Sequence, residues 1–135
     1  MVPIPKVVID TNVLISGFGW KGKPKKILKL IEEGKVKNFT SPDIVEEVRR
    51  VVSYKKLGFT DDLQAEIIEF IYFYSEIVTP KKRLDIVKED PDDNKFLECA
   101  VEAKAEYIIS GNRHLLKLKA FKGIDILTAN DFLSR

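Results

Sequence analysis

Residues 6–17 read KVVIDTNVLISG. Val7, Val8 and Ile9 form a short run without a polar residue, the pattern of a strand buried on both faces of a parallel sheet. The run leads straight into Asp10, so a strand is predicted over 7–10 with a carboxylate at its C-terminal end. Ligands of open parallel sheets gather at the carboxyl edge of the strands, which places this aspartate where sites form. The same residue serves equally well to close the turn after the strand, because Asp readily hydrogen-bonds nearby backbone. Asp10 alone does not decide between these roles.

Outward from that strand, helical and extended patterns alternate. PKKILKLIEEG (24–34) places Ile27, Leu28, Leu30 and Ile31 at helical spacing, with Pro24 near its start and Gly34 as its stop. NFTS (38–41) reads as a second strand, and Ser41 caps a helix over 42–53 that has Pro42 in first position. Thr60 caps a further helix, DDLQAEIIEFIYFYS, before a third strand, EIVTP (76–80). A helix over 92–105, a fourth strand over 107–110, a short helix NRHLLKL, a fifth strand IDIL and a last helix capped by Thr128 complete the order. This succession predicts an α/β fold, a mostly parallel five-stranded sheet with helices on both faces joined by right-handed crossovers. Residues 1–135 contain no repeat, low-complexity stretch or linker, so one domain is expected.

Composition narrows the class further. A chain of 135 residues with 44% hydrophobic content buries roughly two thirds of its unfolded surface as one domain. The single cysteine, Cys99, has no internal disulfide partner, no stretch reaches the roughly 20 apolar residues of a membrane helix, and a secretory leader pattern is absent. A cytoplasmic protein with no membrane partner is expected. The net charge of +2 is too small to argue for or against a polyanionic partner. The 33% charged content with single Gln, Met and Cys residues leans toward a heat-tolerant source.

Two helices add acids to the edge that holds Asp10. At 100° per residue Phe96, Leu97, Ala100, Val101 and Ala103 share one face, and Asp93 falls near the middle of that face at its N-terminal end, with Asp92 well to the side. Dipole or capping roles account for Asp90 and Asp92 but poorly for an acid centred on the core-facing stripe. The helix precedes a strand and runs antiparallel to it, so Asp93 sits at the carboxyl edge. In PDIVEEVRRVV the buried stripe is Ile44, Val45, Val48, Val51 and Val52; Glu47 flanks it and Glu46 points almost opposite. Three acids gathered without a cation repel by a few kcal/mol per pair at 4–5 Å and an effective dielectric near 20, so either their pKa values rise or a metal resides among them. Oxygen ligands suit Mg²⁺ or Mn²⁺, and the chain offers no His and Cys set for zinc; the lone His114 reads as a surface or packing residue.

The segments VVIDTNVLISG, SPDIVEEVRRVV, DPDDNKFLECA and YIISGNRHLL, in this order and covering nearly the whole chain, resemble the PIN domain, the nuclease fold of VapC-like toxins of toxin–antitoxin pairs. The resemblance implies that Asp10, Glu47 and Asp93 are the metal ligands of a Mg²⁺- or Mn²⁺-dependent endoribonuclease that hydrolyses RNA phosphodiester bonds. It implies that Asn12 orients Asp10, although such an Asn equally closes the turn. The family's further acid most often falls in a segment like Ser110–Asn112, where this chain has Asn112, and this departure bears on a second metal position. Homodimers and a cognate antitoxin are further implications.

An acidic site that attracts RNA needs cations at its rim. The stretch FGWKGKPKK, read as a loop, offers Lys21, Lys23, Lys25 and Lys26 to phosphates and Trp20 to a base, or is a solvated loop with a half-buried Trp. Arg113 follows Asn112 directly, and PKKRL (80–84) reads as a solvated connection. The run Phe70-Ile71-Tyr72-Phe73-Tyr74 surrounds the end of its helix with apolar groups, through deep burial or as a contact with a dimer mate or antitoxin. A phosphoacceptor domain is excluded, because its third strand would end in Asp and here ends in Thr79 and Pro80. A PIN-like module that binds RNA or protein without cutting is the alternative to the enzyme.

Overall fold

A computed structural model describes residues 3–135. Strand β1 (Lys6–Ile9) is central, with β2 (Lys37–Thr40) on one side and β4 (Tyr107–Ile109) on the other, both parallel to it. The order continues outward to β3 (Ser75–Ile77) beyond β2 and to β6 (Ile124–Leu127) beyond β4, again in parallel. Val7 and Val8 are fully buried, as a strand covered on both faces requires. Their burial contributes about 1.5–3 kcal/mol each.

The five expected strands are present, and a sixth extends the sheet. β5 (Ala120–Phe121) pairs antiparallel with β6 through a tight turn at Lys122 and Gly123, whose φ values of 49° and 80° are both left-handed. Gly tolerates this conformation freely, whereas Lys gives no such signal in the sequence. Seven helices flank the sheet among the described residues: α1 (Thr11–Gly19), α2 (Lys23–Glu32), α3 (Pro42–Val52), α4 (Asp61–Tyr74), α5 (Asn94–Ala103), α6 (Arg113–Leu116) and α7 (Ala129–Ser134).

α1 is a second departure, because the segment after β1 carries β-branched residues and two glycines and has weak helix propensity. Burial of Val13, Leu14 and Ile15 and a side-chain cap override that weakness. Lys23, Lys25 and Lys26 therefore stand on the first turn of α2 rather than in a loop. Gly17, inside α1, lets the two helices approach closely: a Cβ there would press on the Leu28 side chain and lie 3.2 Å from the Pro24 carbonyl oxygen. The helix predicted over 92–105 divides into a 3₁₀ turn at Pro91–Asp93 and α5, which ends at Lys104 in the left-handed conformation (φ 53°).

The segment after β3 is more than a solvated connection. Arg83 bridges Asp43 at 3.0 Å and Glu98 at 3.4 Å, and the Leu84 N–H donates to Glu98 at 2.9 Å. Asn94 accepts the N–H groups of Ile86 and Val87 and donates to the Val87 and Pro91 carbonyls. These bonds fasten the segment to the start of α5 and thereby set where Asp93 stands.

Candidate active site

The acids meet through hydrogen bonds between residues far apart in sequence. Asp10 leaves β1 in an extended conformation and caps α1, its Oδ1 accepting the Val13 N–H at 2.9 Å. Its Oδ2 accepts the Ser110 hydroxyl and the Gly111 N–H, at 3.3 Å for the latter. The turn-closing role read from the sequence is thus present, at the carboxyl edge of the sheet, in a carboxylate that is 3% exposed. Burial raises its pKa above the usual carboxylate range; the Ser110, Val13 and Gly111 bonds pull it back down, and nearby Glu47 pushes it up.

Ser110, fully buried at the end of β4, passes the connection on, its Oγ accepting the Asn112 N–H at 2.9 Å. Asn112 caps α6 by accepting the His114 N–H on Oδ1 at 2.7 Å, which turns its amide nitrogen toward Asp93 Oδ2, 2.8 Å away. At this position the amide therefore donates to an acid rather than offering a carbonyl oxygen.

Asp93, 6% exposed, has its pKa pushed up to about 6. Burial is the largest cause; Asp90 and Glu47 add to the rise, while Asn112 and His114 oppose it. Glu47, on α3, accepts the Thr11 hydroxyl on one oxygen and the Lys95 ammonium on the other at 2.9 Å. Thr11 directly follows Asp10, so one continuous series of contacts links Lys95, Glu47 and the start of α1 with Ser110, Asn112 and Asp93. Glu46 is exposed, as its place on the helix predicts.

Three expectations are revised. Asn12 is exposed on the first turn of α1, and the bonds holding Asp10 come from Val13, Ser110 and Gly111, so Ser110 orients the carboxylate. His114 is neither isolated nor merely superficial: its Nδ1 lies 4.0 Å from Asp93 Oδ2, and Asp90, Asp93 and His114 each offer a ligand atom within 4.8 Å of the others. Lys21 follows α1, whose nine residues carry the chain about 13 Å from Asp10. Lys25 and Lys26 line a groove with Lys29, Glu32 and Glu66, apart from the acids. Lys21 and Lys23 are exposed, and Arg113 is exposed on the turn that follows Asn112. Thr11 and Lys95 escaped the sequence reading because neither shows a local pattern that ties it to Glu47.

The donor set fits a hard divalent cation. The ligand atoms that stand together are those of Asp90, Asp93 and His114, with Asp10 and Glu47 joined to them through the hydrogen bonds above; carboxylate oxygens with one ring nitrogen are a mixture that Mg²⁺ tolerates and Mn²⁺ favours. The raised pKa values of Asp10 and Asp93 come first from burial and then from neighbouring acids, Glu47 for both and Asp90 for Asp93, so a cation bound beside them would favour their ionised forms. Beside the cluster lies a polar cleft of about 400 Å³ lined in part by Arg50, Arg83, Asp92 and Lys95.

Residues 6–114 match the PIN domain family. The chain is 39% identical over 118 residues to the uncharacterized protein MJ1680 of Methanocaldococcus jannaschii, a match that covers 84% of this chain and 75% of that protein. Its fold is similar to that of a chain in the crystal structure of VapBC2 from Rickettsia felis bound to a DNA fragment from their promoter, with a TM-score of 0.61 over 90% of this chain and 96% of that one. At 14% identity that likeness is one of fold. The family match spans most of the sequence and contains all three acids gathered at the carboxyl edge, and the chain belongs to the PIN domain family.

Proposed function

We propose that this protein is a divalent-metal-dependent endoribonuclease in which Asp10, Glu47 and Asp93 hold Mg²⁺ or Mn²⁺. The observation that carries the reading is the convergence of a 3% exposed Asp10 and a 6% exposed Asp93 on one hydrogen-bonded site at the edge of the sheet. PIN domains are generally nucleases, which supports hydrolysis as the chemistry. A bound divalent ion supplies Lewis-acid polarisation of a phosphoryl oxygen and lowers the pKa of water. The chain's own residues orient and exclude: Ser110 and the Gly111 N–H fix Asp10, Asn112 fixes Asp93, and Thr11 with Lys95 fixes Glu47. Arg50 and Arg83 in the neighbouring cleft, with Arg113 and the lysines of α2, supply cations for an RNA backbone.

The reading extends to a toxin with a cognate antitoxin, working in the cytoplasm. Among the described residues no helix is long and apolar enough to cross a membrane. The end of α4 supports a protein partner: Tyr72 is 53% and Phe73 80% exposed, beside a groove of roughly 650 Å³ shared with Phe18 and Phe70. Exposed aromatic groups of this kind mark association surfaces more often than plain solvent-facing helix. The same surface would serve a homodimer.

Asn112, a neutral amide bonded to Asp93, favours the second reading of a PIN-like module that binds without cutting. Purified protein incubated with a panel of single-stranded and structured RNAs, with and without Mg²⁺ or Mn²⁺, separates the two. Metal-dependent cleavage that Asp10→Asn and Asp93→Asn abolish and Glu46→Gln preserves supports the nuclease. Metal-independent RNA binding without cleavage supports the module.

A further inference from the structure

Lys95 is the unusual member of the acid cluster. Its side chain is 11% exposed, and its Nζ lies 2.9 Å from Glu47 Oε1 and 3.8 Å from Asp92 Oδ2. A lysine so enclosed is costly to desolvate unless it is paired, and the partner it finds is one of the three acids that the nuclease reading needs. Thr11 takes the other Glu47 oxygen, so both Glu47 oxygens are engaged by this chain itself. The contacts of the other two acids differ in kind. Asp10 accepts from a hydroxyl and two backbone N–H groups, and Asp93 accepts from an amide. Among the described residues Lys95 is the one lysine or arginine paired with any of the three.

We propose that the Lys95 ammonium is the built-in occupant of the Glu47 side of the cluster, taking the place of a second divalent ion and limiting the site to one ion held directly by Asp10 and Asp93, which Glu47 reaches through water. The inference rests on the divalent-metal reading of the site. Lys95 offsets the charge of Glu47, whereas Asp10 and Asp93 have no lysine or arginine partner among the described residues and are the carboxylates left for a divalent ion. A second ion would then approach Glu47 with a largely enclosed ammonium already 2.9 Å from one of its oxygens. Asn112 acts in the same direction, because an amide that donates to Asp93 brings no charge of its own. Lys95 is on this account a positioning residue, which fixes the Glu47 carboxylate and sets the charge that the metal meets.

The test is Mn²⁺ titration of the purified full chain without RNA, by calorimetry and by paramagnetic counting of bound ions. The wild type is expected to bind one ion per chain. Lys95→Gln is expected to bind two, with the first tightened on the order of tenfold by removal of a neighbouring positive charge. Lys95→Arg, which keeps the charge, is expected to stay at one ion near wild-type affinity. An unchanged count and affinity in Lys95→Gln overturns the inference while leaving the metal site standing; so does a wild-type count of two, which needs no variant. A wild type that binds no Mn²⁺ overturns the underlying reading of the site instead. If Lys95→Gln fails to fold, Lys95→Met keeps the packing of the stem and carries the same expectation of two ions.

Discussion

In metal-free protein, raising the pH from 4 to 7 is expected to cost stability at Asp93. The carboxyl is 6% exposed, with a pKa pushed up from 3.8 to about 6, chiefly by burial. Between those two values the unfolded chain is ionised at this position while the folded chain keeps its proton. Stability therefore falls as pH rises through the window, at about 1.4 kcal/mol per pH unit, and levels off above the folded pKa. A rise from 3.8 to about 6 corresponds to at most roughly 3 kcal/mol at neutral pH, a large part of the 5–15 kcal/mol that holds a typical domain together. Asp93→Asn cannot ionise and lacks this loss. The assay is chemical denaturation with a chelator present, from pH 4 to 8, of the wild type and Asp93→Asn. Taking the difference cancels the carboxyls that do not interact with Asp93, among them Asp10, whose raised pKa acts with the same sign, and leaves Asp93 together with Asp90, Glu47 and His114, which are coupled to it. The variant is expected to gain up to about 3 kcal/mol on the wild type between pH 4 and 7, and saturating Mn²⁺ is expected to reverse that gain by binding the ionised wild type. Parallel pH profiles, or a wild type that gains on the variant as pH rises, would refute the picture of a buried acid waiting for a cation.

Replacing Lys23, Lys25 and Lys26 together by Ala is expected to weaken RNA binding across sequences and to lower the salt slope by up to about 2, at roughly 0.7 per phosphate contact; binding measured from 50 to 200 mM salt checks this. Asn112→Asp places a carboxyl where an amide now donates to Asp93, 2.8 Å away, so metal-free stability at pH 7 is expected to drop by about 1–3 kcal/mol and to recover in Mn²⁺, as thermal melts with and without the ion would show. Phe73→Ser, at an 80% exposed position, is expected to change stability by less than about 0.5 kcal/mol while abolishing self-association or partner binding at the end of α4, measured by light scattering and pull-down with a candidate antitoxin.

What could be read in advance follows from the range of the forces involved. Helical period alone put Asp93 on the buried stripe and Glu46 on the outside, because the face of a helix is a local property. Proline and cap residues located α3 and α4 to within a residue for the same reason. α1 was hidden, since its formation depends on tertiary burial of Val13, Leu14 and Ile15 against a poor intrinsic propensity. β5 was hidden because two residues carry no period. The role of His114 was missed for a different cause: its nearness to Asp93 depends on how the turn after β4 lies across the start of α5, which no spacing in the sequence encodes. Arg83 likewise reads as one charge in a solvated run until Asp43 and Glu98 are seen on either side of it.

The order of the sheet explains why these distant residues make one site. With β1 between β2 and β4, the chain leaving β1 at Asp10 stands beside the chain leaving β4 at Ser110, and a bond spanning 100 residues follows from adjacency alone. The Asp10 N–H pairs with the Ile109 carbonyl at 3.0 Å, continuing the ladder one residue past the strand and fixing that neighbourhood from the backbone. The helix entered from β2 brings Glu47 to Thr11, and the helix leading into β4 brings Asp93 to Asn112. Each acid is thus supplied by a different crossover and held by a residue from another. The arrangement makes the like charges a consequence of folding: the unfolded chain keeps them apart, and the native topology forces them together against burial and mutual repulsion. Lys95 relieves that opposition at Glu47, while Asp10 and Asp93 are left with neutral donors and raised pKa values. The unrelieved part of the cluster is therefore its Asp10 and Asp93 side, and that is where a divalent ion has most to stabilise.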